Sequence, residues 1–233
     1  DTDVWELYNL DEDFSQSKNV ADEYPEKLQM LKNLFLVESA KYKNMPIGGG
    51  LWTIIFHPEL KVAPEATSWE LPGTITRIPE PCAPRLGCLN NKVTIDMDIP
   101  ENASGVLYKL GANSGGLTLY MDEGILIYEY NLFIVERTKL RSDQPLPAGR
   151  HKLEVVTEHT DENPRGSLSI KVSLNGTQMI EGIVPRVAAV LFTANDCLDV
   201  GQALGSPVSL DYHERAPFKF NGTIHTMHVE YLE

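Results

Sequence analysis

From Lys92 onward apolar and polar residues alternate. In "KVTIDMDI" (92–99) Val93, Ile95, Met97 and Ile99 interleave with Thr94, Asp96 and Asp98, the period of two that gives a strand one buried and one wet face. The pattern continues in "GVLYKL", "LTLYM", "ILIYEY", "HKLEVVTEH", "LSIKVSL", "TQMIEGIV" and "TIHTMHVEYL". Turn signals separate these runs at Asp122-Glu123-Gly124, Pro147-Ala148-Gly149, Asn175-Gly176 and Asn221-Gly222, and "ANSGG" (112–116) also reads as a turn. Many short strands with almost no helical period predict a mainly β chain, an antiparallel sandwich of two packed sheets over 72–233.

The N-terminal region has a different pattern. "WELYNL" (5–10) reads as a short strand running into the polar loop "DEDFSQSKN". In "YPEKLQMLKNLFLVESAKY" Pro25 and Glu26 suit a first helical turn, and Leu28, Leu31, Leu34, Phe35 and Tyr42 recur at helical spacing. This predicts one amphipathic helix, ended by "NMPIGGG" (44–50). Its apolar stripe needs a partner surface that one strand cannot supply, so that surface is expected outside the chain. The expected divisions are therefore 1–45 for strand and helix, 46–71 for a connector without clear period, and 72–233 for the sandwich.

Composition narrows the function classes. The chain has 233 residues, enough for a sizeable core, and no apolar run approaches the ~20 residues of a membrane span. A soluble protein is expected. Acidic residues outnumber basic ones 33 to 20, a net charge of −13, which repels nucleic acid and anionic membranes. The sequence begins with Asp1, not Met, and reads as cut from something longer. Cys82, Cys88 and Cys197 allow one internal disulfide, with Cys82 and Cys88 the nearest pair. Asn102, Asn175 and Asn221 head N-glycosylation sequons, though turns account for the two Asn-Gly pairs. The compartment stays open, with a periplasmic or secreted setting favoured over a cytoplasmic one.

Glu6-Leu7-Tyr8-Asn9-Leu10, Asp13, Asn19-Val20-Ala21 and Pro25-Glu26-Lys27-Leu28 together resemble the tail of the sulfatase (arylsulfatase) family, in which a Glu-Leu-Tyr strand precedes an acidic loop, an Asn-Leu-Ala-like turn and a Pro-Glu-initiated helix. Val20 departs from the usual Leu. The segments "GGLTLYMDEGILIYEYNLFIVERTKLRSDQPLPAGRHKLEVV", "LDVGQALGSPVS" and "FKFNGTIHTMHVEY" are similar to the lectin-like, concanavalin or laminin-G-like jelly-roll sandwich that some arylsulfatases carry after that helix. The resemblance implies a strand-plus-helix remnant of an α/β sulfatase subdomain followed by the sandwich. It also implies a parent hydrolase of sulfate esters that uses formylglycine and a divalent cation such as calcium, both held upstream of this chain.

No catalytic, cofactor-binding or metal-binding residue is therefore assigned here. "EPCAPRLGC" (80–88) imitates the family's Cys/Ser-x-Pro-x-Arg maturation motif, but Cys82-Ala83-Pro84-Arg85 lacks one residue between Pro and Arg, and Thr-Gly is absent. Asp11, Asp13, Ser15 and Ser17 imitate a calcium loop, yet Gln16 replaces the tight-turn glycine and Asp22 the bidentate glutamate. Among His57, His151, His159, His213, His225 and His228 the last two are expected on opposite faces of one strand. "IGGGLW" lacks the Lys-Ser/Thr of a phosphate loop. Tyr120, Tyr128, Tyr130, Asn131 and Arg137 are the candidate sugar platform, with Arg137, Lys139 and Arg141 as a candidate basic patch, and cross-strand packing is the competing reading of the tyrosines.

The sequence thus predicts a non-catalytic accessory region of an arylsulfatase-like hydrolase that packs on its catalytic domain and shapes the cleft or an oligomer contact. A carbohydrate-binding lectin-like module and a ligand-free assembly interface are the alternatives. The expected partners are the upstream catalytic domain, a glycan or a further copy.

Overall fold

The structure is a computed structural model and describes residues 4–41, 66–193 and 195–232. The chain forms two compact units, Asp1–Pro64 and Glu65–Glu233. The glycine run at 48–50, His57 and most of the expected connector lie outside the described residues. No described helix is long and apolar enough to cross a membrane.

In the first unit, helix α1 (Pro25–Lys41) starts at the predicted proline. The predicted strand is absent: residues 5–10 pair with no other strand. A strand needs a neighbour for its N–H and C=O groups, and no described segment lies alongside this one as a strand. Instead Leu7 accepts a hydrogen bond from the Val20 N–H at 2.8 Å, and Asn19 Oδ1 accepts from the Leu7 N–H at 3.0 Å. Trp5 packs edge-on against Phe35 at 5.6 Å and so ties the segment to the helix.

The second unit is built from β1 (Ser68–Pro72), β2 (Ile78–Pro79), β3 (Asn91–Ile99), β4 (Gly105–Ala112), β5 (Gly115–Asp122), β6 (Ile125–Leu132), β7 (Glu136–Arg141), β8 (Gly149–His159), β9 (Leu168–Leu174), β10 (Thr177–Val184), β11 (Cys197–Val200) and β12 (Thr223–Tyr231). They form two six-stranded sheets, ordered β1-β12-β3-β8-β9-β10 and β2-β11-β4-β5-β6-β7. All the pairings are antiparallel. The predicted mainly β sandwich is what the chain forms. β1 begins inside the stretch expected to be a connector and ends at Pro72, the first residue of the expected sandwich; its Trp69 and Leu71 pack on the core, and the surrounding prolines conceal its alternation.

Alternation explains the first sheet. β3 buries Val93, Ile95, Met97 and Ile99 and leaves Lys92, Thr94, Asp96 and Asp98 partly exposed. Its outer face is wet and lined with paired charges, among them Arg150–Asp96 at 2.7 Å and Lys152–Glu154 at 3.1 Å. A register shift between Ile224 and Thr226 alters β12. This bulge turns His225 to the solvent-facing side shared with His228, where His225 Nε2 meets Asp98 at 2.8 Å, so the two histidines do not oppose each other as expected.

The second sheet departs from alternation. β4 is buried at every position and β5 and β6 nearly so, because residues 201–222 cross the sheet's outer face as a strap. Beneath the strap Val106, Tyr120 and Ile127 meet Ala203, Tyr212 and Phe218. Tyr212 is fully buried, stacks on Phe218 at 5.3 Å, meets Tyr120 edge-on at 5.1 Å and donates to Thr118 Oγ1 at 3.1 Å. Arg215 holds the strap by a bidentate pair to Asp122 at 2.9 and 2.7 Å, and its guanidinium lies 4.2 Å from the Phe218 ring centre.

Candidate functional site

The candidate sugar platform is split between two faces. Tyr120 pairs with Ile127 in the β5–β6 register, so it points away from Tyr128 and Tyr130, which share a parity and enter the inter-sheet core. Tyr130 donates to the Gly87 carbonyl at 2.8 Å and accepts from the Ala188 N–H at 2.9 Å. Asn131 is buried, donating to the Asn113 carbonyl and accepting from the Ile134 N–H. No ring of this group is open for a pyranose to stack on, and cross-strand packing is the role these tyrosines have.

The candidate basic patch is neutralised in place. Strand register aligns Asp199, Lys109, Thr118, Glu129 and Lys139 across β11, β4, β5, β6 and β7, a row of alternating charge under the strap. Lys109 Nζ meets Asp196 at 2.7 Å, Asp199 at 3.2 Å and the Gly111 carbonyl at 3.1 Å. Arg137 binds Glu129 at 2.9 Å and the Val208 carbonyl at 2.8 Å. Lys139 lies 2.5 Å from Asp211, and Arg141 3.5 Å from it. Burial would raise the Asp211 carboxyl, but the bonds from Lys139 and Tyr120 outweigh it and hold the group below the ordinary aspartate value. Burial pushes the Tyr212 phenol up to about 12, so it stays a neutral donor.

"EPCAPRLGC" plugs one end of the sandwich. Residues Glu80–Cys82 form a 3-10 turn whose buried Glu80 carboxylate accepts from the Phe192 N–H (2.6 Å), the Thr193 N–H (2.8 Å) and the Thr193 hydroxyl (3.2 Å). The Arg85 N–H donates to the Tyr231 hydroxyl at 2.8 Å, and a Cβ on Gly87 would lie 2.4 Å from the Phe192 ring. All three cysteines are free thiols: Cys82 is exposed, while buried Cys88 points its Sγ at the Val190 carbonyl, 3.3 Å away. The nearest-pair bridge considered from sequence is therefore not formed. Burial raises the Cys88 thiol above its ordinary value, which keeps it protonated and unreactive. Neither this loop nor the thiols fit a formylglycine centre.

The acidic loop of the first unit has an internal task. The Asp13 carboxylate accepts from the Lys18 N–H at 2.7 Å and from the Ser15 and Ser17 hydroxyls at 2.8 and 3.0 Å, with the Lys18 bond the main cause of its lowered pKa. Among the described residues no group of three or more His, Cys, Asp or Glu could hold a metal ion.

Two open grooves flank the β8–β9 loop at the plugged end. One, of about 440 Å³, is lined by Asn90, His159, Asp161, Glu162, Asn163 and Tyr231 among others. His159 Nε2 sits 3.0 Å from the Cys88 carbonyl. The other, of about 450 Å³, is lined by Leu132, Phe133, Val135, Arg165, Arg186 and Val187 with the two alanines that follow. Beside it the β6–β7 hairpin exposes Phe133, Ile134 and Val135 at 44%, 62% and 78%.

That hairpin is strained. The Val135 N–H bonds the Leu132 carbonyl at 2.9 Å, closing a β-turn with φ of 51° at Phe133 and 67° at Ile134 inside the three-residue loop 133–135. Asn-Gly is the natural occupant of such a turn, and a β-branched residue at positive φ is an outlier. The double substitution Phe133→Asn/Ile134→Gly is expected to raise stability by about 1–3 kcal/mol, read as a higher urea midpoint at unchanged slope. This tip is not legible in the sequence, because "NLFIVE" carries no turn residue other than Asn131.

No family model and no curated protein matches the chain. Solved structures are similar to it in part. The LG4-5 domains of the mouse laminin α1 chain align at 16% identity with a TM-score of 0.46, covering 72% of this chain and 43% of theirs. This chain thus spans less than half the length of that structure. The galectin LEC-6 of Caenorhabditis elegans aligns at 12% identity and a TM-score of 0.42, covering 72% of this chain and 99% of that one. The SAP-like pentraxin of Limulus polyphemus aligns at 12% and 0.38, covering 74% of each. The fold class rests on the strand order itself: a mainly β sandwich of two six-stranded antiparallel sheets.

Proposed function

We propose that the chain is the non-catalytic accessory region of an arylsulfatase-like sulfate-ester hydrolase. Residues 1–41 dock on a catalytic domain, and the sandwich acts beside it as a binding module. One observation carries this reading: α1 leaves Met30, Leu31, Leu34, Leu36 and Val37 exposed at 49%, 37%, 51%, 54% and 62%. Wet apolar side chains in such number on one helix mark a surface shaped for another protein body. The Glu6–Leu10, Asn19–Ala21 and Pro25–Leu28 motifs supply the family to which that body belongs. Formylglycine and calcium belong to that body, and no step of the chemistry runs through residues 1–233.

A second reading, a glycan-binding sandwich, draws on the groove of Asn90, His159, Asn163 and Tyr231, whose amides, imidazole and aromatic ring suit a sugar's hydroxyls and face. Asp161 and Glu162 in the same groove favour a neutral sugar over a sulfated one.

Both readings are tested in the full-length polypeptide that carries this chain. Leu34→Asp/Val37→Asp is expected to cut hydrolysis of 4-methylumbelliferyl sulfate about tenfold or more while the near-ultraviolet circular dichroism of the sandwich persists. Asn163→Ala is expected to leave that hydrolysis unchanged and to weaken retention on immobilised neutral glycans. Full activity in the helix variant would refute the docking role, and unchanged retention in Asn163→Ala would refute the glycan groove.

A further inference from the structure

We infer that the β6–β7 hairpin tip and the groove beside it form a docking site for an acidic, apolar-bearing segment of a protein partner. The inference concerns residues separate from α1 and from the Tyr231 groove, so it stands or falls independently of the function proposed above.

Three observations converge on it. Phe133, Ile134 and Val135 are consecutive exposed apolar residues, at a turn whose backbone would be more relaxed with Asn-Gly. The groove places the Val187 wall next to that tip, so an apolar side chain of a partner has both a ridge to grip and a trough to enter. Arg165 lines the same groove, is exposed, and has no ion pair or side-chain hydrogen bond among the described residues. Arg186, its neighbour there, is engaged by Glu136 at 2.7 Å.

Charge selects the occupant. The titratable side chains lining the groove are two guanidiniums, and Arg165 is the uncommitted one, so a carboxylate is the local complement. A flat anionic membrane surface meets the whole net charge of −13, whereas a narrow segment lying in the groove meets chiefly the arginines that line it. Two copies meeting tip to tip about a two-fold axis would set Arg165 near its own counterpart, a like-charge contact. A segment that alternates Asp or Glu with Leu or Phe satisfies both the tip and the arginine.

The test uses the whole 233-residue chain and two labelled synthetic peptides with the same Leu and Phe residues, one interleaved with Asp and Glu and the other with Lys. Fluorescence anisotropy is expected to show binding of the acidic peptide only. Arg165→Glu should weaken it about tenfold or more, and so should Phe133→Asn/Ile134→Gly, a variant that eases the turn and therefore remains folded. Equal binding of both peptides, or undiminished binding by the two variants, would overturn the inference. Tip-dependent dimerisation in light scattering would assign the site to a second copy, and tip-dependent sedimentation with phosphatidylserine vesicles would assign it to a membrane; either result overturns the inference too.

Discussion

Asp199→Ala is expected to lower the stability of the sandwich by about 3–5 kcal/mol, a large part of the 5–15 kcal/mol typical of a folded domain. Asp199 and Lys109 are both fully buried and 3.2 Å apart. The carboxylate also accepts from the Arg77 N–H at 2.7 Å and the Leu204 N–H at 3.0 Å, so it joins the edge of the second sheet to the start of the strap. Alanine would leave two N–H groups short of an acceptor and a buried ammonium with half of its countercharge. Urea denaturation followed by tryptophan fluorescence measures the loss. Lys109→Met in the same background is expected to recover part of it, since removing the second charge removes the unpaired group. A loss below ~1 kcal/mol in the single variant would mean the pair is hydrated and the strap is looser than described.

Tyr212→Ala is expected to cost about 3–5 kcal/mol as well, and its effect should be local in a way that of Asp199→Ala is not. Tyr212 is the strap's anchor: it is fully buried, stacked on Phe218, set edge-on to Tyr120 and bonded to Thr118. Without the ring the outer faces of β4, β5 and β6 lose their cover. Hydrogen exchange should then quicken first at residues 201–222, with β3, β8 and β9 still protected. Uniform acceleration across both sheets would show that the strap is no separable layer. Tyr212→Phe, which removes only the bond to Thr118, should cost about 1 kcal/mol.

The strands that alternate cleanly, such as 92–99 and 168–174, were legible because one face packs on the core and the other stays wet, and the sandwich class follows from them. β7, "ERTKLR", was hidden because an edge strand with mixed exposure carries little alternation. β11 is four residues long, too short for any period to show. The strap was illegible for another reason. Residues 201–222 read as glycine, proline and polar loop, and only the contact of Tyr212 and Phe218 with Tyr120 reveals that this loop buries a second sheet face. That contact also undid the sugar platform: strand parity separates Tyr120 from Tyr128 and Tyr130, and nothing in their spacing tells which face is covered. Conversely, the weakness of "EPCAPRLGC" as an active-site motif was visible in its missing residue. Its structural role, a Glu80 carboxylate clamping residues 192 and 193, depends on a partner more than a hundred positions away.

On the proposed function, these residues serve a catalytic domain whose chemistry lies upstream of Asp1. Peptide mapping by mass spectrometry of the native polypeptide that carries this chain tests it most directly. Upstream peptides are expected, one of them bearing formylglycine within a Cys/Ser-x-Pro-x-Arg sequence. A native polypeptide in which no such sequence precedes Glu6-Leu7-Tyr8 would contradict it.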